Sequence, residues 1–175
     1  KRIVFVSSVL GESLETTKTE LARREKDEKT RVKATVSENR VVRYWDHWLE
    51  TDEWVRLFAL DVASRAVTEL TPGMTRLGQL DGGLAFDVGR DGSVVFAANS
   101  TEPPWKTTNT DLFLVPAGGG APRNLTADNP AEDGSPVFSP DGRTIASARR
   151  EVKPTRSLAM RALTFTFASV PDCPA

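Results

Sequence analysis

The feature that most constrains the fold of this chain is a pair of Asp-Gly turns, each set between two short apolar runs. Residues 135–148 read SPVFSPDGRTIASA, and residues 84–96 read LAFDVGRDGSVVF. An Asp-Gly step between apolar runs predicts a β-hairpin, because the turn needs positive φ angles that Gly adopts without steric cost. The turn glycines, Gly92 and Gly142, lie 50 residues apart. A hairpin unit that recurs at this spacing is typical of the blades of a β-propeller.

A second repeated unit consists of two strands followed by a Leu-Thr step. It occurs in residues 54–71 and again in residues 111–126, with the Leu-Thr steps 55 residues apart. Residues 2–10 are rich in β-branched side chains and predict a further strand. These patterns predict an all-β chain that forms a partial β-propeller. One full blade would span residues 83–126, flanked by partial blades, the later of which begins at residues 135–149.

A charged insertion interrupts the strand pattern at residues 12–33, which predict one mostly solvated helix. Thr17 and Glu20 fit a capping box, in which each side chain satisfies a backbone donor at the helix start. Three i,i+4 pairs place the acid on the N-terminal side, which is the better orientation: Glu20/Arg24, Glu25/Lys29 and Asp27/Arg31. The functional alternative is a lid or contact arm over a neighbouring domain.

Charge and length exclude several classes of partner. The chain has 175 residues, with 23 basic and 24 acidic side chains and a formal net charge of −1. This balance gives no reason to expect a nucleic acid or an anionic membrane as partner. No apolar run approaches the roughly 20 residues that span a bilayer. The chain begins with Lys1 and its start lacks the pattern of a signal peptide, so we expect an internal piece of a longer product. The sequence does not indicate the cellular compartment of that product.

No residue combination has the pattern of a catalytic, cofactor or metal site. His47 is the one histidine, and its neighbour Asp46 is too close in sequence to serve as a triad acid on that ground. No Gly-x-Ser-x-Gly elbow is present. The glycines at 118–120 lack the Lys-Ser/Thr of a phosphate loop and indicate a tight turn. Asn99 and Asn124 begin glycosylation sequons, and the single Cys173 excludes an internal disulfide framework.

The repeat fades after residue 151. We therefore divide the chain into a partial propeller at residues 1–151 and an atypical tail at residues 152–175, which could be an incomplete blade. Residues 163–167 alternate between apolar and polar side chains and could form a strand there. Pro171 and Pro174 follow it, so we expect no fourth strand after it.

The repeats resemble those of TolB-type propellers, in the elements FSPDGRTIA and DLFLVPAGGGAPRNLT. The order of elements is also similar to the propeller of bacterial acylaminoacyl and dipeptidyl peptidases, which belong to the prolyl oligopeptidase family of serine peptidases. That order is IVFVSSV, a charged helical insertion, RYWDHW and then LFALDVASRAVTELTPG, and the resemblance covers residues 2–151. The Trp45-Asp46 step is like the dipeptide of WD-repeat propellers, but no Gly-His pair precedes it at the required distance.

The resemblance implies a non-catalytic propeller that gates the access of peptide substrates to an α/β-hydrolase domain following in the same parent chain. No catalytic residue of that family has a counterpart here. Some members of that family bind the amino terminus of a peptide substrate through carboxylates of the propeller. No motif assigns that role to Glu50 or Glu53. Two alternatives stay open: a TolB-type scaffold for protein partners, and a propeller enzyme of another class with its site in the central channel.

Two physical expectations follow from the repeat pattern. Strand side chains at alternate positions should be buried: Val94, Phe96, Leu112, Leu114, Val137 and Ile145. A propeller usually has 4–8 blades that cover one another's faces, and this chain supplies fewer. We therefore expect the isolated chain to be marginally folded and prone to associate through an uncovered blade face.

Overall fold

The computed structural model describes residues 1–10, 14–27, 43–44, 47–48, 53–74, 77, 83–99, 101, 107, 109–117, 119–150 and 163–169. In these residues it contains one helix, α1 (Leu14–Asp27), and twelve strands. The strands are β1 (Arg2–Leu10), β2 (Arg43–Tyr44), β3 (His47–Trp48), β4 (Glu53–Asp61), β5 (Val67–Glu69), β6 (Phe86–Val88), β7 (Val94–Ala98), β8 (Asp111–Val115), β9 (Arg123–Asn124), β10 (Asp133–Phe138), β11 (Thr144–Arg150) and β12 (Leu163–Ser169).

The strands form antiparallel sheets that follow one another along the chain. The first sheet has the order β1-β4-β5, the middle sheet β6-β7-β8-β9 and the last sheet β10-β11-β12, while β2 and β3 form a separate two-stranded pair. This architecture confirms the all-β class with one inserted helix. It also confirms that residues 83–126 hold a complete four-stranded sheet.

Both predicted hairpins are confirmed. Gly92 and Gly142 have φ angles of 92° and 74°, so each occupies a backbone conformation that L side chains rarely adopt. The Gly92 amide donates to the carbonyl of Gly89, and the Gly142 amide donates to the carbonyl of Ser139, each at 2.9 Å. The Asp-Gly steps therefore reverse the chain between β6 and β7 and between β10 and β11.

The first and middle sheets repeat one strand register at a spacing of 55 residues. Phe58 of β4 pairs with Glu69 of β5, and Phe113 of β8 pairs with Asn124 of β9. Each phenylalanine stacks on a second ring from the preceding strand of its sheet. Phe5 lies 5.6 Å from Phe58 between ring centroids, and Phe96 lies 5.6 Å from Phe113. The sequence repeat is thus a repeat of side-chain packing as well as of strand order.

The Leu-Thr step has the same structural role in both sheets. The amide of Leu57 donates to the Thr71 hydroxyl at 3.2 Å, and the amide of Leu112 donates to the Thr126 hydroxyl at 2.9 Å. In each case the leucine before the threonine donates its own amide back to the same residue's carbonyl. A threonine hydroxyl therefore replaces the backbone acceptor where the short last strand ends, which keeps a buried amide satisfied.

The three sheets pack face to face in chain order. One core lies between the first and middle sheets, where Leu57 and Ala59 meet Val94, Phe96 and other side chains of the middle sheet. A second core lies between the middle and last sheets, formed by Val95, Leu112, Leu114 and Ile145. Because β7 and β8 contribute to both cores, the middle sheet is buried on both faces.

The burial predictions hold for the middle sheet and fail at Val137. The buried set includes Val94, Phe96, Leu112, Leu114 and Ile145, as predicted, but Val137 is 55% exposed. The register of β10 against β11 shifts between Gly134 and Val137, and Ser135 has a φ angle of 49°. This bulge adds a residue to the strand and turns Val137 outward, so the prediction for Val137 is wrong.

A helix within residues 12–33 is confirmed, but the predicted capping box is wrong. The helix begins at Leu14, so Thr17 lies inside it and cannot be its N-cap. The Leu10 amide donates to the Thr17 hydroxyl at 2.9 Å, which ties the helix to the end of β1 instead. Acid–base pairs at i,i+3 line the exposed surface, between Glu15 and Lys18 and between Glu20 and Arg23. Lys29 and Arg31 lie outside the described residues.

The strand expected at residues 163–167 is confirmed as β12, which is antiparallel to β11 from the Arg150–Leu163 pair to the Thr144–Ser169 pair. The expected absence of a fourth strand concerns residues 170–175, which lie outside the described residues. The sequence signal was weak because residues 151–162, which connect the two strands, carry no turn motif of the earlier kind.

Candidate functional site

The connections between strands differ sharply between the two ends of the stack. One end, called the turn end, carries the short reversals at residues 62–66, 89–93 and 139–143. The opposite end, called the loop end, is where β1 ends and β4 begins and where β7 ends and β8 begins, so the long connections at residues 11–52 and 99–110 start and finish there. Because binding groups are usually displayed on loops held by a rigid scaffold, the loop end is the candidate functional surface.

Carboxylates at the turn end close the turns and are held ionised. The Asp61 carboxylate accepts hydrogen bonds from the amide and the hydroxyl of Ser64, each at 2.8 Å, and these bonds lower the pKa of Asp61. The Asp141 carboxylate accepts from the Ser139 hydroxyl at 2.6 Å, which likewise lowers the pKa of Asp141. These groups are engaged with their own turns, so they are poor candidates for general acids.

A third carboxylate, Asp91, follows the same pattern in the middle sheet. Burial alone would raise its pKa, but the hydrogen bonds from the amide and hydroxyl of Ser93, at 2.9 and 2.7 Å, outweigh burial and lower the pKa of Asp91. The guanidinium of Arg2 adds to this effect and also donates to the carbonyl of Ala117 at 3.1 Å. Arg2 therefore ties the start of the first sheet to two turns of the middle sheet.

A buried polar cluster joins the middle and last sheets at the loop end. Asp133 is 1% exposed, and its backbone makes two hydrogen bonds with Thr110. Its amide donates to the Thr110 carbonyl at 2.8 Å, and its carbonyl accepts from the Thr110 hydroxyl at 2.7 Å. The side-chain amide of Asn129 donates to the Asp133 carboxylate at 2.9 Å. The Nε atom of Arg149 lies 3.7 Å from the other oxygen of that carboxylate. A buried carboxylate with these partners is a structural acceptor rather than a free base.

A second inter-sheet bond runs from β10 to β6. The amide of Phe138 donates to the carboxylate of Asp87 at 2.7 Å, across 51 residues of sequence.

Sequence reasoning missed both Asp87 and Asp133. Asp87 left a usable signal, since a carboxylate between two apolar residues in a predicted strand needs a donor in the neighbouring layer. Asp133 left none, because it follows a polar segment in which an aspartate is unremarkable.

The first sheet carries a buried ion pair away from both inter-sheet cores. The Nε atom of Arg56 lies 3.2 Å from a carboxylate oxygen of Glu69, and both side chains are largely shielded from solvent. Burial lowers the pKa of Arg56, and the charge of Glu69 opposes that change. Removing one partner of such a pair would leave an uncompensated buried charge. The pair therefore holds β4 and β5 in this arrangement but adds little to the net stability of the first sheet.

Most residues weighed as candidates from the sequence lie outside the described part of the molecule. His47 pairs with Tyr44 in the strand register, but its side chain is outside the described part, as is that of Glu53 at the start of β4. Asp46 and Glu50 are also outside it. The structure therefore brings none of these four side chains into a described site.

The glycine run and the sequons have structural roles. The Gly119 amide donates to the carbonyl of Pro116 at 2.9 Å, and Gly119 and Gly120 have φ angles of 83° and 120°, which confirms the predicted tight turn between β8 and β9. Gly118 lies outside the described residues. The amide nitrogens of Asn99 and Asn124 each donate within the fold at 2.8 Å, to the Thr107 carbonyl and the Asp111 carboxylate.

Comparisons with known proteins found no match, either to a family model or to a curated protein. Among the residues that the structure describes, no three His, Cys, Asp or Glu side chains are grouped so that they could hold a metal ion. Within the same part of the chain, no helix combines the length and apolarity needed to cross a bilayer. The described geometry is that of a layered scaffold with one elaborated end.

Proposed function

We propose that this chain is a non-catalytic part of a β-propeller in a serine peptidase of the prolyl oligopeptidase family. In this proposal it gates the access of peptides to an α/β-hydrolase domain of the same parent chain. The observation that carries the proposal is the repeated unit itself. Two successive sheets share a register and a Leu-Thr hydrogen bond at one 55-residue spacing, and each carries an aromatic stack, which is what repeated blades require.

Two further features support the proposal. The sheets pack face to face in chain order, as blades do around a channel, and the middle sheet is covered on both sides. The charged helix α1 interrupts the first sheet between β1 and β4, the place where the resembling peptidases carry their insertion. It leaves from the end of β1 at Leu10, so it belongs to the loop end.

The physical basis of gating would be rigidity. A ring of sheets held by two-sided apolar cores resists widening, because each opening exposes side chains that are fully buried in the closed arrangement, such as Phe96 and Val95. An extended peptide can pass a narrow channel in such a ring, whereas a folded protein cannot. The chain would then set the size of the substrate, and the hydrolase domain would supply the nucleophile, the base and the orienting acid.

The first test concerns activity of the chain alone. The 175-residue chain should hydrolyse neither aminoacyl nor peptidyl chromogenic substrates above background, because the sequence offers one histidine and no nucleophile elbow. Activity that disappears in the His47→Ala variant would contradict the proposal, since it would place a catalytic base within this chain.

The second test concerns the parent product. Its coding sequence should contain a Gly-x-Ser-x-Gly motif downstream, and the purified product should cleave short peptides while sparing the same sequence inside a folded domain. Loosening the stack with Phe96→Leu should increase cleavage of the folded substrate, while Val62→Ala, at an exposed turn residue, should not. Absence of any downstream hydrolase sequence would instead favour the TolB-type scaffold.

A further inference from the structure

We propose that the first sheet accepts one more strand along β1, and that the occupant is an extended segment of the parent chain with an apolar-Asp-apolar sequence. The middle sheet has four strands in the order β6-β7-β8-β9, whereas the first sheet has the three strands β1-β4-β5. Among the described strands, the first sheet has no equivalent of β6. The inference shares with the proposed function only the premise that more of the parent chain adjoins these sheets, so it applies to a peptidase propeller and to a scaffold alike.

The aromatic stacks show which residues of β1 and β7 are equivalent. Phe5 and Phe96 each stack on a phenylalanine of the following strand, so the residues before them, Val4 and Val95, occupy the same position. Val95 pairs with β8 on one side and with Asp87 of β6 on the other. Val4 pairs with β4 on one side, and no strand in the described part of the chain pairs with it on the other, which we call the free edge. A strand at the position of β6 would place its aspartate opposite Val4.

Half of the backbone groups of β1 point towards the free edge. The Val62 amide donates to the carbonyl of Lys1 at 2.9 Å, so residue 1 forms a hydrogen-bonded pair with the chain of β4. Such pairs alternate along antiparallel strands, so the odd-numbered residues of β1 bond to β4 and the even-numbered ones direct their amide and carbonyl away from it. Val4 and Val6 therefore present these groups at the free edge. In the middle sheet the amide at the position of Val6, that of Ala97, donates to a carbonyl just before β6 at 3.0 Å.

The helix α1 determines where an added strand must end. The Leu10 amide donates to the Thr17 hydroxyl at 2.9 Å, and the Leu10 carbonyl accepts from the hydroxyls of Thr16 and Thr17 at 3.2 Å. Leu10 is even-numbered, so these are groups that would otherwise pair with the added strand. The rest of β1 has no bulge and no proline, and long regular edges of this kind are templates for strand addition. The accepting part of the free edge is therefore residues 2–8.

The amide of Val88 is an independent indication of the same strand. In both hairpins the next residue bonds across the turn, so Val88 and Phe138 direct their amides away from their partner strands. The Phe138 amide donates to Asp87 of the preceding sheet at 2.7 Å. Val88 is 41% exposed, and among the described residues its amide has no acceptor. Val4 packs on the core between the first and middle sheets, so an aspartate paired with it would face the middle sheet and reach this amide.

The test supplies the inferred strand within the chain. A second copy of residues 84–92, LAFDVGRDG, is fused in place of Lys1, which puts its aspartate opposite Val4. Amide hydrogen exchange followed by NMR should slow at least about tenfold at Val4 and Val6 relative to the unaltered chain, because both amides gain an acceptor. The Val67 amide faces the outer edge of β5 on the other side of the same sheet, so its exchange should be unchanged.

Replacing the aspartate of the added segment with alanine separates the two contacts. In the original fusion Val88 should also exchange at least about tenfold more slowly than in the unaltered chain. With alanine, Val88 should return to fast exchange while Val4 and Val6 stay slow, because only the carboxylate acceptor is lost. A fusion with the same nine residues in scrambled order should slow none of the three amides.

The proposal is overturned if the fused segment leaves exchange at Val4 and Val6 unchanged, or if Val88 is equally fast with aspartate and with alanine. It is also overturned if Val4 and Val6 already exchange slowly in the unaltered chain. A sedimenting mass above 19.1 kDa would in that case identify a second copy as the occupant of the free edge. None of these outcomes depends on peptidase activity, so they are independent of the tests of the proposed function.

Discussion

Truncation of Phe96 provides the most direct measure of how the sheets depend on one another. Its ring is fully buried between the first and middle sheets and stacks on Phe113 at 5.6 Å. Phe96→Ala removes the ring and leaves a cavity that neighbouring strands cannot close, which should lower the free energy of unfolding by about 3–5 kcal/mol. The repeat offers a matched control, since Phe5 makes the same stack with Phe58 at the same 5.6 Å.

The control isolates burial from stacking. Phe5 is half-buried, so Phe5→Ala should lower the free energy of unfolding by no more than about half as much, although the stacking partner and geometry are alike. With a urea slope of about 2 kcal/mol per M, the midpoint should fall by about 1.5–2.5 M for Phe96→Ala and by no more than about 0.75–1.25 M for Phe5→Ala.

Equilibrium urea unfolding followed by tryptophan fluorescence and circular dichroism gives both midpoints. If Phe96→Ala is unfolded without urea, Phe96→Leu provides a milder change, expected to lower the free energy of unfolding by about 1–1.5 kcal/mol. Equal shifts for the two alanine variants would refute the reasoning, because Phe96 would then gain nothing from the cover of the first sheet.

Three smaller changes test individual features. Thr71→Val removes the acceptor of the buried Leu57 amide and should lower the free energy of unfolding by about 1–3 kcal/mol in urea titrations, while Thr71→Ser should lower it less. Gly142→Ala, at a φ of 74° with open space around the added carbon, should cost about 1 kcal/mol, and no loss would mean that the turn relaxes. The Ser139 hydroxyl lowers the pKa of Asp141, so the ionised Asp141 carboxylate stabilises the fold above about pH 4. This stabilisation is lost as the pH falls through the pKa of Asp141 in the folded state. Asp141→Asn should therefore reduce the loss of stability between pH 5 and pH 3, and an unchanged loss would contradict this assignment.

The sequence predicted the features that depend on local chemistry. The turns at Gly92 and Gly142 follow from the φ angles that Asp-Gly steps favour, and the strands follow from alternation around them. The 55-residue spacing also predicted which strands belong to equivalent sheets. The turns and the strands each depend on a few adjacent residues, so no knowledge of the remaining chain was needed for them.

The failures have a common cause in contacts that lie outside the local sequence motif. Alternation predicted that Val137 is buried. The prediction failed because a bulge at Ser135 shifts the register, and that bulge forms only when β10 pairs with β11. Thr17 fits a capping box locally, yet it lies within a longer helix and bonds to the end of β1. The inter-sheet bond from Phe138 to Asp87 spans 51 residues, and a single sequence does not say which donor meets which acceptor.

The position of the insertion also affects the order in which the sheets can form. The longest connection within the middle sheet is residues 99–110, whereas β1 and β4 must meet across residues 11–52. Closing a connection about six times longer than the β8–β9 turn costs about 1.6 kcal/mol more in chain entropy. Contacts that close long loops form late, so the middle sheet should gain amide-exchange protection before β1 does. The first sheet would then assemble on a surface that the middle sheet has already prepared, and the length of the insertion would set the rate of that last step rather than the structure it reaches.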